Sequence, residues 1–408
     1  MSRKLVGISV EANSKASRCL DFLRFFAALT VLLQHMAPVF GVGGPPQETG
    51  NVVVDLLKHG LYEWSLSGFK FVMLFFVLSG FLVSSSVLRT IENNSWSWRV
   101  YLTNRLTRLW IVLIPALLIT AAGKFLEYQF FGLGDGTPSD ERWTTFLGNM
   151  FFLQGIDGFP IFGHNGPLWS LSYEFWYYIL FPCIVLAIKS PKRITKLLYA
   201  AVTLIIMWFL GSSIVSLFLV WLLGSLLVFM RAIRFKSLII GASLLVLSIT
   251  LNIVMINSNV FNYFLELGAR APFNYVLAGA NLQIPGLLPD MMVGISFSIT
   301  IYLIMCLFNQ KPTKVSRWYL SSTLAGFSYT LYLVHYPVLD FFYQLKISKW
   351  WHLPQPDFYN WFAVVSVIFM IFAWLISILT EAKTNKVRKF VIGMLNTKRL
   401  SDKKTLEG

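Results

Sequence analysis

Runs of roughly 17–22 apolar residues recur along this sequence, each long enough to cross a hydrocarbon core of about 30 Å at about 1.5 Å of helix per residue. Such a core holds no water, so each run must satisfy its own backbone N–H and C=O groups, and that means helix. Of the 408 residues, 56% are hydrophobic and 13% charged. That leaves too little polar surface to cover a soluble core of this size. The pattern predicts an all-α polytopic membrane protein with about ten transmembrane helices, over residues 20–40, 69–88, 106–122, 168–188, 197–210, 214–230, 238–256, 287–308, 320–342 and 361–379. The fifth is short for a crossing.

The net charge of +15 is carried in short basic blocks between these runs, such as KSPKRITK at 189–196 and RAIRFK at 231–236. Blocks of that kind set topology and do not form a surface for nucleic acid, so no nucleic-acid partner is expected. With the N-terminus in the cytoplasm, 27 of the 34 Lys and Arg fall on the inner side. The bias predicts cytoplasmic N- and C-termini. Residues 1–18 are polar and lack the apolar core of a signal peptide, so the first run is expected to stay as a span. Cys19, Cys183 and Cys306 lack metal-ligand spacing, and neither a disulfide framework nor a metal site is expected. The outer segments, 41–68, 123–167, 257–286 and 343–360, are the longer ones. Within the second, residues 144–155 are too short to span and read as an interfacial or re-entrant piece.

Ionisable groups inside apolar spans are costly, at roughly 2.5–3.5 kcal/mol for a central charge, and so point to function. Arg24 and His35 in the first span share one helix stripe, about 16 Å apart along the axis. Arg105 and Arg108 stand three apart at the start of the third span, where two guanidinium forks suit phosphate. Glu174 lies in PLWSLSYEFWYY, about 9 Å below the outer surface. There Trp169, Tyr173 and Trp176 offer flat faces to a sugar ring. His335, in FSYTLYLVHYP, falls in the outer half of the ninth span. Each has a plainer explanation: a snorkelling Arg, a helix-end His, positive-inside anchors, an aromatic belt around a snorkelling Glu. The Ser79–Gly80 pair reads as a close helix contact. What raises them is agreement, because His35, Glu174 and His335 come out at similar depth with the arginine pair at the opposite face. The expectation is a two-sided site, donor phosphates inside and acceptor outside.

In combination these segments resemble the acyltransferase-3 family of bacterial membrane acyltransferases, across all ten spans. The matching segments are Arg24 and His35 after Leu20-Asp21, the FF-x-L-SG-F stretch around Ser79 and Gly80, the R-x-x-R pair Arg105 and Arg108, W-S-L-S-x-E from Trp169 to Glu174, and S-Y-x-x-Y-L-x-H from Ser328 to His335. The resemblance implies acetyl-CoA or another acyl-CoA as donor and O-acylation of an envelope glycan or lipid-linked sugar, in the bacterial inner membrane among its lipids. It divides the chain into a cytoplasmic segment 1–19, a transmembrane acyltransferase domain 20–380 and a basic cytoplasmic tail 381–408. His35 is the expected base or acyl carrier, with Arg24 positioning groups along its stripe, Glu174 and His335 orienting or polarising reactants, and Arg105 and Arg108 holding donor phosphates. Some relatives append a secreted hydrolase-like domain that this sequence does not show. The rivals are a transporter or flippase of lipid-linked sugar, against which the absence of internal repeats counts, and the same enzyme class with another acyl donor or a non-glycan acceptor.

The topology is checked by labelling intact cells with an impermeant thiol reagent. Cysteines introduced at Ser139 and Gln355 should react and one at Lys314 should not; labelling at Lys314 in sealed cells would reverse the orientation.

Overall fold

The computed structural model describes residues 7–40, 42, 44–132, 140–270, 284–310, 320–347 and 358–394. Ser139, Lys314 and Gln355 lie outside them, as do residues 395–408 of the basic tail and the whole inner segment 311–317. The described residues are helical and contain no strand.

The helices are α1 (Lys15–Val39), α2 (Val52–Ser65), α3 (Gly68–Glu92), α4 (Trp98–Phe131), α5 (Trp143–Met150), α6 (Leu168–Lys189), α7 (Arg193–Leu227), α8 (Leu238–Ile256), α9 (Ser258–Arg270), α10 (Ile284–Phe308), α11 (Leu320–Ile347) and α12 (Phe358–Leu379). Each of the ten expected spans falls on one of them, the fifth and sixth sharing α7. By length and composition, 8 of the described helices are suited to crossing a membrane. Their outer surfaces are apolar: Trp208 is 85% exposed and Leu379 75%. Side chains of that kind belong against lipid.

Gly211 interrupts α7 with φ 74° and ψ 178°, backbone that L side chains avoid. On one side of it Phe209 meets the Trp176 ring of α6 at 5.6 Å. On the other, the Ile214 carbonyl accepts from the Tyr177 hydroxyl at 2.7 Å. Both arms therefore sit at the same level of α6, and the chain reverses at Gly211. The first arm carries Tyr199, which receives a bond from Trp98 Nε1 at the start of α4. The second runs back along α6 through Phe218 and Trp221 until the Val228 carbonyl accepts from Gly7 N.

Without water to drive helices together, close backbone approach through small residues holds a membrane bundle. The second arm of α7 packs on α3 in this way. A Cβ on Gly224 would overlap the Val77 carbonyl oxygen, and one on Gly80 the Trp221 carbonyl oxygen. Trp221 Nε1 donates to Ser79 Oγ across the same contact. The Ser79–Gly80 pair is thus a helix contact.

Residues 143–164 fold as the short α5 followed by two single 3-10 turns. Trp110 Nε1 of α4 donates to the Met150 carbonyl, and Ser172 Oγ and Trp176 Nε1 of α6 both donate to the Phe152 carbonyl. The segment is a plug wedged between α4 and the start of α6. The most extensive helix contact is α1 on α11, with α4 and α12 flanking α11.

Gly224→Ala should lower stability, by about 1–3 kcal/mol of overpacking, although Ala is the better helix former. Gly60→Ala in α2, where a Cβ meets nothing within 4 Å, should not. Thermal unfolding of the detergent-purified variants followed by tryptophan fluorescence decides, and an unchanged Gly224→Ala midpoint would refute the contact.

Candidate active site: an arginine pocket and a histidine pair

The α1–α11 seam carries polar groups at two levels. At the first, Arg24 of α1, Arg105 and Arg108 of α4, and Glu174 and Tyr178 of α6 line a pocket with about 780 Å³ of empty space. Ser170, Tyr329 and Tyr332 complete its polar wall. Tyr178, one turn beyond Glu174, donates its hydroxyl to Glu174 Oε1 at 2.6 Å. The Arg105 guanidinium lies over the Tyr101 and Tyr178 rings, 5.4 and 5.3 Å from their centroids. Its buried Nε has no hydrogen-bond partner among the described residues. Arg24 reaches Asp21 at 3.5 Å. Three guanidinium groups thus converge on one pocket whose wall carries Glu174, with Asp21 beside Arg24, and their forks suit a polyphosphate ligand.

At the second level His35 Nδ1 lies 2.9 Å from His335 Nε2. His335 is wholly buried, and its Nδ1 sits 2.8 Å from the Leu331 carbonyl oxygen one turn back. A carbonyl can only accept, so His335 Nδ1 carries hydrogen. In the neutral pair His335 Nε2 is then the acceptor, His35 Nδ1 the donor, and His35 Nε2 keeps its lone pair. The buried ring fixes the tautomer of the more accessible one, as a second group orients a catalytic base. The Tyr336 ring packs edge-on against His35 at 4.9 Å.

Tyr332 joins the two levels. It lines the arginine pocket, shares a hydrogen bond of 2.7 Å between its hydroxyl and Ser170 Oγ, and packs edge-on against His335 at 6.3 Å. Ser328, Tyr332 and His335 follow at spacings of four and three, one face of α11.

The residues named from sequence therefore divide into groups. Arg24, Arg105, Arg108 and Glu174 share the pocket, and His35 and His335 form the pair. Glu174 bonds neither histidine and belongs with the arginines. Depth counted along one helix axis does not give this grouping, because it depends on how α1, α4 and α6 are rotated toward one another. Trp169 and Tyr173 line a different cavity, beside Phe69. Trp176 faces the plug, with its Nε1 on the Phe152 carbonyl.

Several site groups escaped the sequence reading. Tyr178 and Tyr332 were findable at one turn from Glu174 and from His335. Lys124 bonds Glu127 Oε2 at 2.9 Å and Asp340 Oδ2 at 2.8 Å, tying α4 to α11 five residues past His335. Glu381, after α12, accepts from Thr330 N and Oγ of α11. Lys124 and Glu127 stand three apart on one helix, but nothing in sequence pairs Lys124 with Asp340 or Thr330 with Glu381. No group of three or more His, Cys, Asp or Glu able to hold a metal occurs among the described residues.

A family model for an acyltransferase domain matches residues 17–379. The chain belongs to the acyltransferase-3 family. This family member is similar, at 28% identity over 52% of its length and 90% of the relative's, to an uncharacterised protein of Haemophilus influenzae. It is 28% identical to the peptidoglycan O-acetyltransferase OatA of Listeria monocytogenes over 38% of this chain and 26% of that one. It is also 28% identical to an O-acetyl transferase of Shigella phage Sf6 over 46% of this chain and 52% of that one. Against OatA and the phage protein, the match spans about a quarter and about half of the relative. No solved structure matches.

Nitrogen-15 spectra of the acyltransferase labelled only at its 5 histidines should show His335 as the Nδ1–H tautomer and His35 with a protonated Nδ1 and a bare Nε2. A hydrogen on His35 Nε2 at neutral pH would remove the free base.

Proposed function

We propose that this acyltransferase moves an acetyl group from acetyl-CoA to a hydroxyl of a cell-envelope glycan, in the bacterial inner membrane. In this reading ten crossings leave both termini in the cytoplasm, with residues 1–19 and 381–408 inside and the domain 20–380 in the bilayer. The basic-residue bias supports that orientation, and the reversal at Gly211 supports counting α7 as two crossings. The observation that carries the chemistry is the seam itself: a pocket on which three guanidinium groups converge and a histidine with a free lone pair, joined through Tyr332 and both built from α1 and α11. The relatives' names, peptidoglycan O-acetyltransferase and O-acetyl transferase, favour a glycan acceptor over transport.

Arg24, Arg105 and Arg108 hold the donor's phosphates, and the unsatisfied Arg105 Nε gives one of them a further donor. Glu174 holds Tyr178 beneath Arg105 and limits the net charge. The thioester end reaches past Tyr332 to the histidine pair. His35 Nε2 takes the proton of the acceptor hydroxyl as its oxygen attacks the thioester carbonyl; the C–S bond breaks, the thiolate leaves as coenzyme A and accepts a proton, and the ester forms. His335 keeps His35 in the required tautomer. Alternatively His35 Nε2 attacks first and carries the acyl group before the hydroxyl displaces it.

His35→Ala should abolish transfer while keeping coenzyme A binding. The Arg105→Ala, Arg108→Ala double variant should lose that binding by tenfold or more, each charge-assisted contact contributing about 1.5–3 kcal/mol. Binding is measured by titrating the purified protein with coenzyme A, and transfer by ester content of the host's envelope polysaccharide. Incubation with radiolabelled acetyl-CoA and no acceptor separates the two roles of His35, since only a carrier retains label. Wild-type transfer by correctly inserted His35→Ala would overturn the assignment of the base, and unchanged binding by the double variant would return the arginines to topology anchors.

A further inference from the structure

A second cavity, on the far side of the Phe76–Trp169 ring pair from the arginine pocket, has a lining that nothing above accounts for. Phe76 lines the pocket and Trp169 the cavity, and the two rings meet edge to face at 6.0 Å. The cavity offers about 390 Å³ to a ligand between α3, α6, the second arm of α7, α9 and α10. That falls within the roughly 300–1,000 Å³ of small-molecule sites. Its walls include Phe69, Trp169, Tyr173, Ser213, Ser216 and Asp290.

Two of these are anomalous for a membrane bundle. Asp290 is 5% exposed and sits seven residues into α10, in an otherwise apolar run. Its Oδ1 has no hydrogen-bond partner among the described residues. Ser216, 5% exposed on α7, has its Oγ likewise without one. Buried polar atoms are normally satisfied, and an unsatisfied carboxylate and hydroxyl facing one cavity call for a ligand bearing hydroxyl groups. The Trp169 and Tyr173 rings, edge to face at 5.0 Å, add apolar walls with a polar handle at Tyr173.

Two short links run from the cavity wall toward the histidine pair. The backbone N of Phe69 donates to Gln34 Oε1 at 2.9 Å, next in sequence to His35. Trp169 precedes Ser170, which hydrogen-bonds the Tyr332 that packs on His335. Phe69 thus contacts the residue beside His35, and Trp169 stands beside a residue in contact with α11.

We propose that this cavity is the acceptor subsite, and that Asp290 and Ser216 bind ring hydroxyls of a carbohydrate whose face lies on Trp169. A sugar hydroxyl donates to Asp290 and a neighbouring one exchanges with Ser216, so one ligand satisfies both atoms; an ammonium ion would serve the carboxylate alone. Asp290 and Ser216 are specificity-determining residues that hold the sugar while a further hydroxyl reaches His35. This rests on the glycan acceptor proposed above and names where that acceptor sits.

The test uses the full chain in lipid nanodiscs and fragments of the host's envelope polysaccharide stripped of esters by mild alkali. Titrated without donor, the fragments should bind the wild type, at least tenfold more weakly to Asp290→Asn, and several-fold more weakly to Ser216→Ala, with coenzyme A binding unchanged in both. In the transfer assay the variants should raise the KM for the fragments and leave the KM for acetyl-CoA alone, which a merely structural role would not produce. Because Asp290→Asn can fail to fold, Ser216→Ala carries the same comparison independently. Fragments that bind both variants as tightly as the wild type, or do not bind the wild type at all, overturn the subsite. Wild-type transfer with unaffected variants sinks the subsite and keeps the glycan acyltransferase. Weakened fragment binding with no use of acetyl-CoA by the wild type does the reverse.

Discussion

A polar side chain held away from water in hydrocarbon must find its partners within the protein, and the α1–α11 seam is built around that requirement. His335 is wholly buried, so both ring nitrogens have to be satisfied within the protein, one by the Leu331 carbonyl and the other by His35. The first bond fixes the ring within α11, and the second, the one that crosses between the helices, ties the rotation of α11 to α1. With the rotation set, Ser328, Tyr329 and Tyr332 turn toward Arg24 and the arginine pocket. The tautomer of His35, on which its use as a base rests, is decided by a carbonyl it never touches.

Charge is distributed differently on the two sides of α11. Lys124 is matched by two carboxylates, Glu127 and Asp340. That near-balanced buried cluster ties helices together, and removing one partner would strand the others. The arginines of the pocket are matched less closely: Arg24 reaches Asp21 only at 3.5 Å, Arg105 lies over tyrosine rings with its Nε unsatisfied, and the wall's carboxylate, Glu174, bonds Tyr178. An imbalance of that kind inside a membrane protein is costly unless an anion completes it. The first cluster therefore reads as structure and the second as a binding site.

Much of the fold was legible in the sequence because hydrocarbon leaves a chain so few options: apolar runs of spanning length become helices. Even the break between the fifth and sixth runs was visible at Gly211. The candidate residues were legible for the same reason, since charge is rare enough in such runs for Arg24, His35, Glu174 and His335 to stand out. Asp290, Lys70 and Lys124 carry the same signal and were passed over because no motif surrounds them. Lys70 proves to be satisfied by the Ile256 carbonyl at the end of α8, whereas Asp290 does not.

The sequence by itself determined that the chain is a helical membrane protein, that α1 places Arg24 and His35 on one stripe, and that the polar residues of its spans are few. Those follow from helical periodicity and from the energy of burying charge, which act within single segments. Only the tertiary structure decided which of those residues meet. It paired His35 with His335, 300 positions apart, drew Glu174 away from the histidines to the arginines, and turned Trp169 and Tyr173 toward Asp290. Each of those outcomes depends on how one helix is rotated and tilted against another, which is set by side-chain packing and hydrogen bonds between segments that periodicity within either one does not encode.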